Sequence, residues 1–117
     1  MNAYRISKTF GFAAAHHLPQ LPEGHKCRRV HGHNYRLTLV IAGELDDRDM
    51  VVDYGDLDRV RSWIAKTFDH RDLNQVIDHP TAERLAEYVF TRWAEVYPEL
   101  VEVVVSETPD TTASYAP

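Results

Sequence analysis

The sequence predicts an α+β fold, in which a four-stranded antiparallel sheet carries two helices on one face, in the chain order ββααββ. Three observations support this prediction. Two segments with alternating apolar residues open the chain, two segments with helical periodicity follow, and a valine-rich run lies near the end. The 117 residues, of which 44% are hydrophobic, suit a single domain over residues 1–117.

The first two strands enclose a long loop. Residues 4–15 alternate loosely and contain tyrosine, isoleucine, threonine and phenylalanine, which predicts a strand with one buried face. Residues 34–45 place Leu37, Leu39 and Ile41 at alternate positions and predict a second strand, paired with the first. The segment between them, HHLPQLPEGHKCRRVHGH, has two prolines and two glycines but no periodicity, which is typical of a loop.

Two helices should follow the second strand. Asp53 can cap the first helix, and Asp56 suits its positive end. The apolar residues of this helix recur at steps of three and four: Leu57, Val60, Ile64 and Phe68. Pro80 suits the first position of the second helix, and Pro98 should end it. The apolar face of the second helix comprises Ala82, Leu85, Ala86, Val89, Trp93, Val96 and Tyr97.

The sheet is completed near the end of the chain. Residues 100–108 (LVEVVVSET) predict a third strand, and residues 111–115 predict a short fourth strand after the turn at 109–110. Four strands leave two edges of the sheet unpaired, and unpaired edges favour pairing with another chain. We therefore expect a homo-oligomer.

The composition argues against several classes of function. Thirteen Lys and Arg against eighteen Asp and Glu give a formal net charge of −5, which disfavours nonspecific binding to nucleic acid or anionic lipid. No segment approaches the ~20 apolar residues of a membrane-spanning helix. Cys27 is the single cysteine, and residues 1–10 lack the apolar run of a secretory signal. We therefore expect a cytoplasmic protein with neither nucleic acid nor membrane as a partner.

A group of histidines indicates a metal site. Residues two apart on an extended backbone share a face, so the imidazoles of His31 and His33 can reach one metal ion. His16 ends the first strand, and antiparallel pairing would bring it beside them. Three imidazoles suit zinc and leave a fourth position for water or substrate. A His-Gly-His segment alone is more often ordinary loop structure, and the third histidine shifts the balance toward a metal.

The other histidines and the cysteine allow several roles. His17 should point away from His16, at a surface or an interface, and His79 should be a neighbour of a helix cap, whereas the role of His25 stays open. Cys27 can be a fourth zinc ligand, an inert core residue, or a nucleophile or base. Its neighbours are basic, which favours a lowered thiol pKa and a reactive thiolate.

Two acidic positions are further candidates. Asp69 and His70 are adjacent at the expected end of the first helix, where they form either an oriented acid–base pair or, more commonly, a helix-end cap. Glu107, near the end of the third strand, is either solvated or an anchor for a ring. A fixed carboxylate can accept two parallel hydrogen bonds from the amino-pyrimidinone edge of a guanine-like or pterin ring.

These residues fall in motifs that occur in a known order. FAAAH, PEGHKC, CRRVHGHNY, DHRDLN, PTAE and SET follow one another nearly from end to end. The chain resembles the 6-pyruvoyl-tetrahydropterin synthase superfamily and, within it, the 6-carboxy-5,6,7,8-tetrahydropterin synthases of queuosine biosynthesis. Three residues separate Cys27 from the HGH segment, whereas the pyruvoyl enzymes have a longer spacing and a third subfamily has glutamate in place of the cysteine.

The resemblance implies an architecture and a set of site residues. The architecture is the tunnelling fold, in which subunits join their sheets into a barrel, with a homohexamer built as a dimer of trimers. The implied residues are, for zinc, His16, His31 and His33; for catalysis, Cys27 as thiolate with Asp69 and His70 as proton relay; and for the pterin, Glu107, Thr81 and Glu83.

The implied activity is that of a zinc-dependent carbon–carbon lyase. The substrate is 7,8-dihydroneopterin triphosphate, and the products are 6-carboxytetrahydropterin, acetaldehyde and triphosphate, with zinc as a Lewis acid on the side-chain oxygens. Two alternatives stay open: formation of 6-pyruvoyl-tetrahydropterin from the same substrate, and a non-catalytic module that binds zinc or a pterin. Lys26, Arg28 and Arg29 are candidates to attract the triphosphate.

Overall fold

The computed structural model describes residues 3–117 and confirms the predicted α+β class. Its sheet has the order β1-β2-β3-β4, and each neighbouring pair of strands is antiparallel. The strands are β1 (Tyr4–His16), β2 (His31–Gly43), β3 (Leu100–Ser106) and β4 (Ala113–Tyr115), and the helices are α1 (Asp58–Thr67) and α2 (Ala82–Trp93).

The core lies between one face of the sheet and the two helices. Alternate residues of β1 and β2 point into it, because successive side chains of a strand lie on opposite faces. Phe10 pairs with Leu37 across the two strands, and both are at most 2% exposed. The helices complete the core with their apolar stripes, whose buried members are Val60, Ile64, Leu85, Ala86, Val89 and Trp93. The buried members of the predicted stripes are therefore confirmed as core, whereas Ala82, Val96 and Tyr97 are partly buried and pack against it.

Both helices begin differently from the prediction. Asp53 caps a 3-10 turn over Tyr54–Leu57, accepting the Gly55 N–H at 2.8 Å, and α1 follows this turn directly. The prediction that Pro80 occupies the first position of α2 is wrong. Thr81 is the N-cap residue and its hydroxyl accepts the Arg84 N–H at 3.1 Å, so Pro80 lies one residue before the cap.

The second helix also ends before the predicted residue. α2 stops at Trp93, five positions before Pro98. The N–H groups of Val96 and Tyr97 both bond to the Trp93 carbonyl, which tightens the chain into a turn. The Tyr97 carbonyl then accepts the Leu100 N–H at 3.0 Å where β3 begins. The turn that leads the chain back into the sheet therefore ends α2, and Pro98 lies beyond the end of the helix.

The longer β2 has a direct consequence for the histidines. β2 begins at His31, three residues before the predicted start, so the HGH segment belongs to the sheet instead of the loop. In the ladder, His16 lies opposite His31, and Ala14 lies opposite His33. The antiparallel pairing predicted from sequence therefore brings the three histidines to one end of the sheet.

The outer edge of β1 is covered near this end. The segment after α1 runs beside it: the His70 N–H donates to the Ala13 carbonyl at 2.6 Å, and the Ala15 N–H donates to the Arg71 carbonyl at 3.0 Å. Asp72 forms an isolated parallel bridge with Ala15. Within residues 3–117, neither helix is long and apolar enough to cross a bilayer.

Candidate active site

Three imidazoles meet where β1 ends and β2 begins. Their ligand nitrogens, one each from His16, His31 and His33, all lie within 4.8 Å of one another. His16 is 1% exposed, and the other two rings are partly buried. The strand register produces this arrangement, because all three side chains lie on the face of the sheet that carries the core. The cluster can therefore bind a metal ion.

Hydrogen bonds to backbone carbonyls fix the tautomer of two of these rings. Nδ1 of His16 lies 2.8 Å from the Pro80 carbonyl oxygen, and Nδ1 of His31 lies 2.7 Å from the Arg29 carbonyl oxygen. A carbonyl can only accept, so each Nδ1 carries a proton, and in the neutral ring each Nε2 keeps its lone pair. The two Nε2 atoms face each other at 3.0 Å. Two lone pairs at this distance repel unless a cation lies between them, so the donor set fits a metal ion.

His33 completes the cluster and connects it to Glu107. Its Nε2 lies 3.7 Å from Oε2 of Glu107. Burial lowers the pKa of His33, and the neighbouring imidazoles lower it further, whereas the Glu107 charge acts in the opposite direction. A lowered pKa keeps this ring neutral at pH 7, and only a neutral imidazole can donate a lone pair to a metal.

The Pro80 carbonyl is positioned by an unusual backbone conformation at the preceding residue. His79 has φ of 51°, in the left-handed region that non-glycine residues seldom adopt. Its carbonyl accepts the Thr81 N–H at 2.7 Å, which closes the turn. The expectation that His79 neighbours a cap is therefore confirmed. The turn also aims the Pro80 carbonyl at the His16 ring.

The two pterin residues predicted from the PTAE motif lie at the start of α2. The hydroxyl of Thr81 is used in capping the helix. Glu83 is exposed in the first turn, where its charge suits the positive end of the helix dipole. Helix stability accounts for both residues, and their role toward a pterin stays a prediction.

Cys27 lies in a 3-10 turn over Lys26–Arg28, in the loop that leads to His31. Its N–H donates to Nδ1 of His25 at 3.0 Å, and its carbonyl accepts the Leu18 N–H at 2.8 Å. The side chain is partly exposed. Among the described residues, the metal-ligand cluster contains the three imidazoles and does not include this sulfur.

Hydrogen bonds within this loop show the structural parts of His25 and Arg28. His25, whose role was open, caps the turn that carries Cys27. The guanidinium of Arg28 donates to the Pro19 and Leu21 carbonyls at 2.6 and 2.8 Å. This Nη1 nitrogen holds the loop, and attraction of a triphosphate by Lys26, Arg28 and Arg29 stays a prediction.

Asp69 and His70 follow α1 and pack against the edge of β1. Oδ1 of Asp69 accepts the Ala13 N–H at 3.1 Å and lies 3.0 Å from Nδ1 of His70. The Ala13 hydrogen bond, followed by the contact with His70, lowers the pKa of Asp69. The carboxylate is thus anchored to the sheet, and it orients the His70 ring with Nδ1 protonated and Nε2 free to accept a proton. The His70 side chain is 81% exposed.

Two grooves meet at the sequence Gly32-His33-Asn34. One has a volume of about 550 Å³ and runs from β2 across Ala13–Ala15 to the exposed His70. The other, of about 620 Å³, runs toward Arg36 and Glu107. His70 of the predicted acid–base pair and Glu107, the predicted ring anchor, therefore line two different grooves that both reach His33.

Sequence reasoning missed one residue of the site. Tyr35 is 1% exposed, lies in edge-to-face contact with His16 and His33, and has a buried hydroxyl without a hydrogen-bond partner in the described chain. Burial raises the pKa of this hydroxyl, and the charge of Glu107 raises it further. The alternation of β2 was the available signal, since Tyr35 follows His33 on the same face.

His17 is held by a neighbouring side chain. It is partly buried, and Nδ1 of its ring is enclosed without a hydrogen-bond partner among residues 3–117. Its backbone N–H and carbonyl both bond to the side chain of Asn74, at 2.9 and 2.8 Å. The 3-10 turn Leu73–Gln75 thus packs against His17, and its place at a surface or an interface stays a prediction.

Comparisons with known proteins agree with this architecture. The family model described as 6-pyruvoyl tetrahydropterin synthase matches residues 5–117. The chain belongs to this family, as the resemblance of its sequence motifs implied.

Individual relatives narrow the comparison. The chain is 36% identical to the 6-carboxy-5,6,7,8-tetrahydropterin synthase of Synechocystis, over 94% of this chain and 91% of that protein. It is 31% identical to the protein of the same name from Bacillus subtilis, over 98% and 86% of the two chains. The structure of Caenorhabditis elegans 6-pyruvoyl tetrahydropterin synthase matches with a TM-score of 0.85 and 28% identity, over 97% and 95% of the chains.

Proposed function

We propose that this protein is a zinc-dependent 6-carboxy-5,6,7,8-tetrahydropterin synthase. It takes 7,8-dihydroneopterin triphosphate and one water and releases 6-carboxytetrahydropterin, acetaldehyde and triphosphate. The observation that carries the proposal is the pair of Nε2 lone pairs of His16 and His31 facing each other, with His33 beside them. The names of the Synechocystis and Bacillus relatives support the choice of reaction.

The metal would be held by the three imidazoles and by no further side chain of this cluster. Three nitrogen ligands in a partly buried site are typical of catalytic zinc, which supplies a Lewis acid for substrate oxygens. The Pro80 and Arg29 carbonyls orient two of the rings, as partners outside the ligand set do in zinc enzymes.

Glu107 would hold the pterin ring. Its side chain is 25% exposed, lines the groove of about 620 Å³, and lies beside His33. An ionised carboxylate can accept two N–H groups of an amino-pyrimidinone side by side. A ring bound in this way would carry its substituent toward the three histidines.

Cys27 and His70 would move the protons. Nε2 of His70 is free to take a proton, and Asp69 stabilises the imidazolium that forms. The thiolate of Cys27 would serve the opposite side of the substrate. Because the His70 ring is largely exposed, we extend the proposal to a homohexamer, a dimer of trimers, in which a neighbouring copy closes the site. The compartment would be the cytoplasm, and the product would enter queuosine or related 7-deazapurine biosynthesis.

A product assay tests the proposal. The zinc-loaded protein is incubated with dihydroneopterin triphosphate, and acetaldehyde and triphosphate are measured separately. Formation of both products supports the carboxy synthase. Triphosphate alone indicates the pyruvoyl reaction, the activity named for the Caenorhabditis elegans neighbour, and neither product indicates a non-catalytic module.

Two variants assign the roles within the site. Cys27→Ala should retain zinc and lose turnover by about a hundredfold or more, the usual contribution of one proton-transfer group. His25→Ala is the matched control for loop structure, because His25 caps the Cys27 turn without holding a reacting group. Release of zinc from Cys27→Ala would show that the sulfur is a ligand and would contradict the assignment.

A further inference from the structure

A third groove continues from the site and carries uncompensated positive charge. It has a volume of about 610 Å³, and its lining includes Lys66, His70 and Arg71. His70 and Arg71 also line the groove of about 550 Å³ that reaches His33. The two grooves therefore adjoin each other at these residues, and we call the third one the Lys66–Arg71 groove.

Some cations of the described chain are held in ion pairs, and the cations of this groove are not. Lys8, Arg48 and Arg84 each form an ion pair at 2.8 Å or less with a carboxylate. Lys66 and Arg71, which are both exposed, form no ion pair within the described residues. Two unpaired cations therefore line one concavity of a protein whose formal net charge is −5.

One carboxylate also lines the groove. Oδ1 of Asp72 accepts the Asn74 N–H at 3.0 Å, as the cap of the 3-10 turn that begins at Leu73. It bonds to its own turn and forms no ion pair with either cation in the part of the chain that is described. The two cations therefore outnumber the single acid, and their N–H groups face solvent.

The backbone fixes the distance between this groove and the metal-ligand cluster. The Arg71 carbonyl accepts the Ala15 N–H, and Ala15 precedes His16 in β1. Consecutive Cα atoms are about 3.8 Å apart, so the chain at Arg71 is anchored within about two residues of a ligand histidine. A ligand whose reacting atoms lie at the imidazoles can extend a short charged tail into the groove.

We propose that the Lys66–Arg71 groove binds the polyphosphate tail of the substrate. This inference rests on the proposed function for the identity of the substrate, a pterin that carries a triphosphate. Arg71 offers a planar fork that matches two phosphate oxygens, and Lys66 offers a compact charge. His70 lies between this groove and the first one, so the tail and the reacting carbons flank the same imidazole.

Binding of inorganic triphosphate by the full-length, metal-loaded protein tests the groove without turnover. Lys66→Glu and Arg71→Glu should each weaken binding at least tenfold in a calorimetric titration at low salt. Arg59→Glu on α1 makes the same change in net charge outside the groove and should weaken binding less than threefold. Orthophosphate, with fewer charges, should bind more weakly than triphosphate to the unmodified protein and lose less in the variants.

The basic turn beside Cys27 is the rival position. If Lys26→Glu abolishes triphosphate binding and the two groove variants leave it unchanged, the proposal is overturned. The uncharged variants Lys66→Gln and Arg71→Gln control for misfolding caused by charge reversal. Each should also weaken triphosphate binding, and more than the Arg59→Glu control does. The protein could also bind triphosphate in a way that the groove variants weaken and yet not turn over dihydroneopterin triphosphate. That result would reject the proposed function and leave the groove assignment in place.

Discussion

The middle and the end of the β1–β2 ladder use the same alternation for different purposes. In the middle, Phe10 lies opposite Leu37, and both fill the core under the helices. At the end, His16 lies opposite His31 on the same face, and the side chains converge on a potential ion. The alternation of side chains in β1 and β2 thus forms the core where the helices cover the sheet. At the end of the ladder the same alternation forms the candidate metal site, where the Pro80 and Arg29 carbonyls contact the rings.

The core half of this comparison predicts the largest loss of stability. Leu37 is fully buried, so Leu37→Ala removes apolar contacts and leaves a cavity. We expect a loss of about 2–5 kcal/mol in the free energy of unfolding, measured by urea denaturation. Thr38→Ala, at the next position on the opposite face, is the control and should change stability by less than about 1 kcal/mol. Equal losses in the two variants would contradict the division between the faces.

At the histidine end of the ladder, a substitution should remove the bound metal and change the free energy of unfolding little. His31→Ala should reduce bound zinc from one equivalent per chain to background, because two imidazoles remain. Its metal-free form should unfold within about 1 kcal/mol of the metal-free parent, since a partly buried ring at the sheet end packs less than a core residue. Metal analysis after dialysis checks the first expectation, and retention of a full equivalent would refute it.

Orientation of the metal-ligand histidines should depend on the backbone at His79. A β-branched residue disfavours the left-handed conformation, so His79→Val should move the Pro80 carbonyl away from His16. We expect zinc affinity to fall about tenfold to a hundredfold in a competition titration. His79→Gly, which adopts this conformation readily, should retain affinity close to the parent. If the His79→Val and His79→Gly variants bind zinc equally well, the Pro80 carbonyl does not orient the His16 ring.

The stability that the Asp69 carboxylate contributes at the edge of β1 should depend on pH. The folded protein lowers its pKa, so the carboxylate contributes stability above its unfolded pKa of about 3.9 and loses that contribution as the pH falls through the folded value. Asp69→Asn should therefore be less stable than the parent at pH 7, and the difference should shrink below about pH 4. Urea denaturation at both pH values measures it. A difference that stays constant with pH would show that the charge is not responsible.

The smallest effect should come from Tyr35, which lies between the two halves. Its hydroxyl is buried without a hydrogen-bond partner in the described structure, so Tyr35→Phe removes an unsatisfied group. We expect the stability to stay the same or rise by about 1 kcal/mol, with zinc binding unchanged. A loss above about 2 kcal/mol in thermal unfolding would reveal a hydrogen bond that the hydroxyl makes in the folded protein.

The sequence predicted those features that depend on local geometry. The strands, the helical stripes and the meeting of His16 with His31 follow from periodicity and from antiparallel pairing of neighbouring strands. The Pro80 carbonyl could not be predicted, because it reaches His16 across 64 positions and depends on a left-handed residue. The engagement of Arg28 with the Pro19 and Leu21 carbonyls likewise depends on how the loop closes.

X-ray absorption of the zinc-loaded protein tests the three-histidine site most directly. The account predicts scattering from three imidazole nitrogens at about 2.0–2.1 Å with a light atom in the remaining position. A sulfur neighbour at about 2.3 Å would contradict it, because Cys27 would then fill the position that the substrate needs.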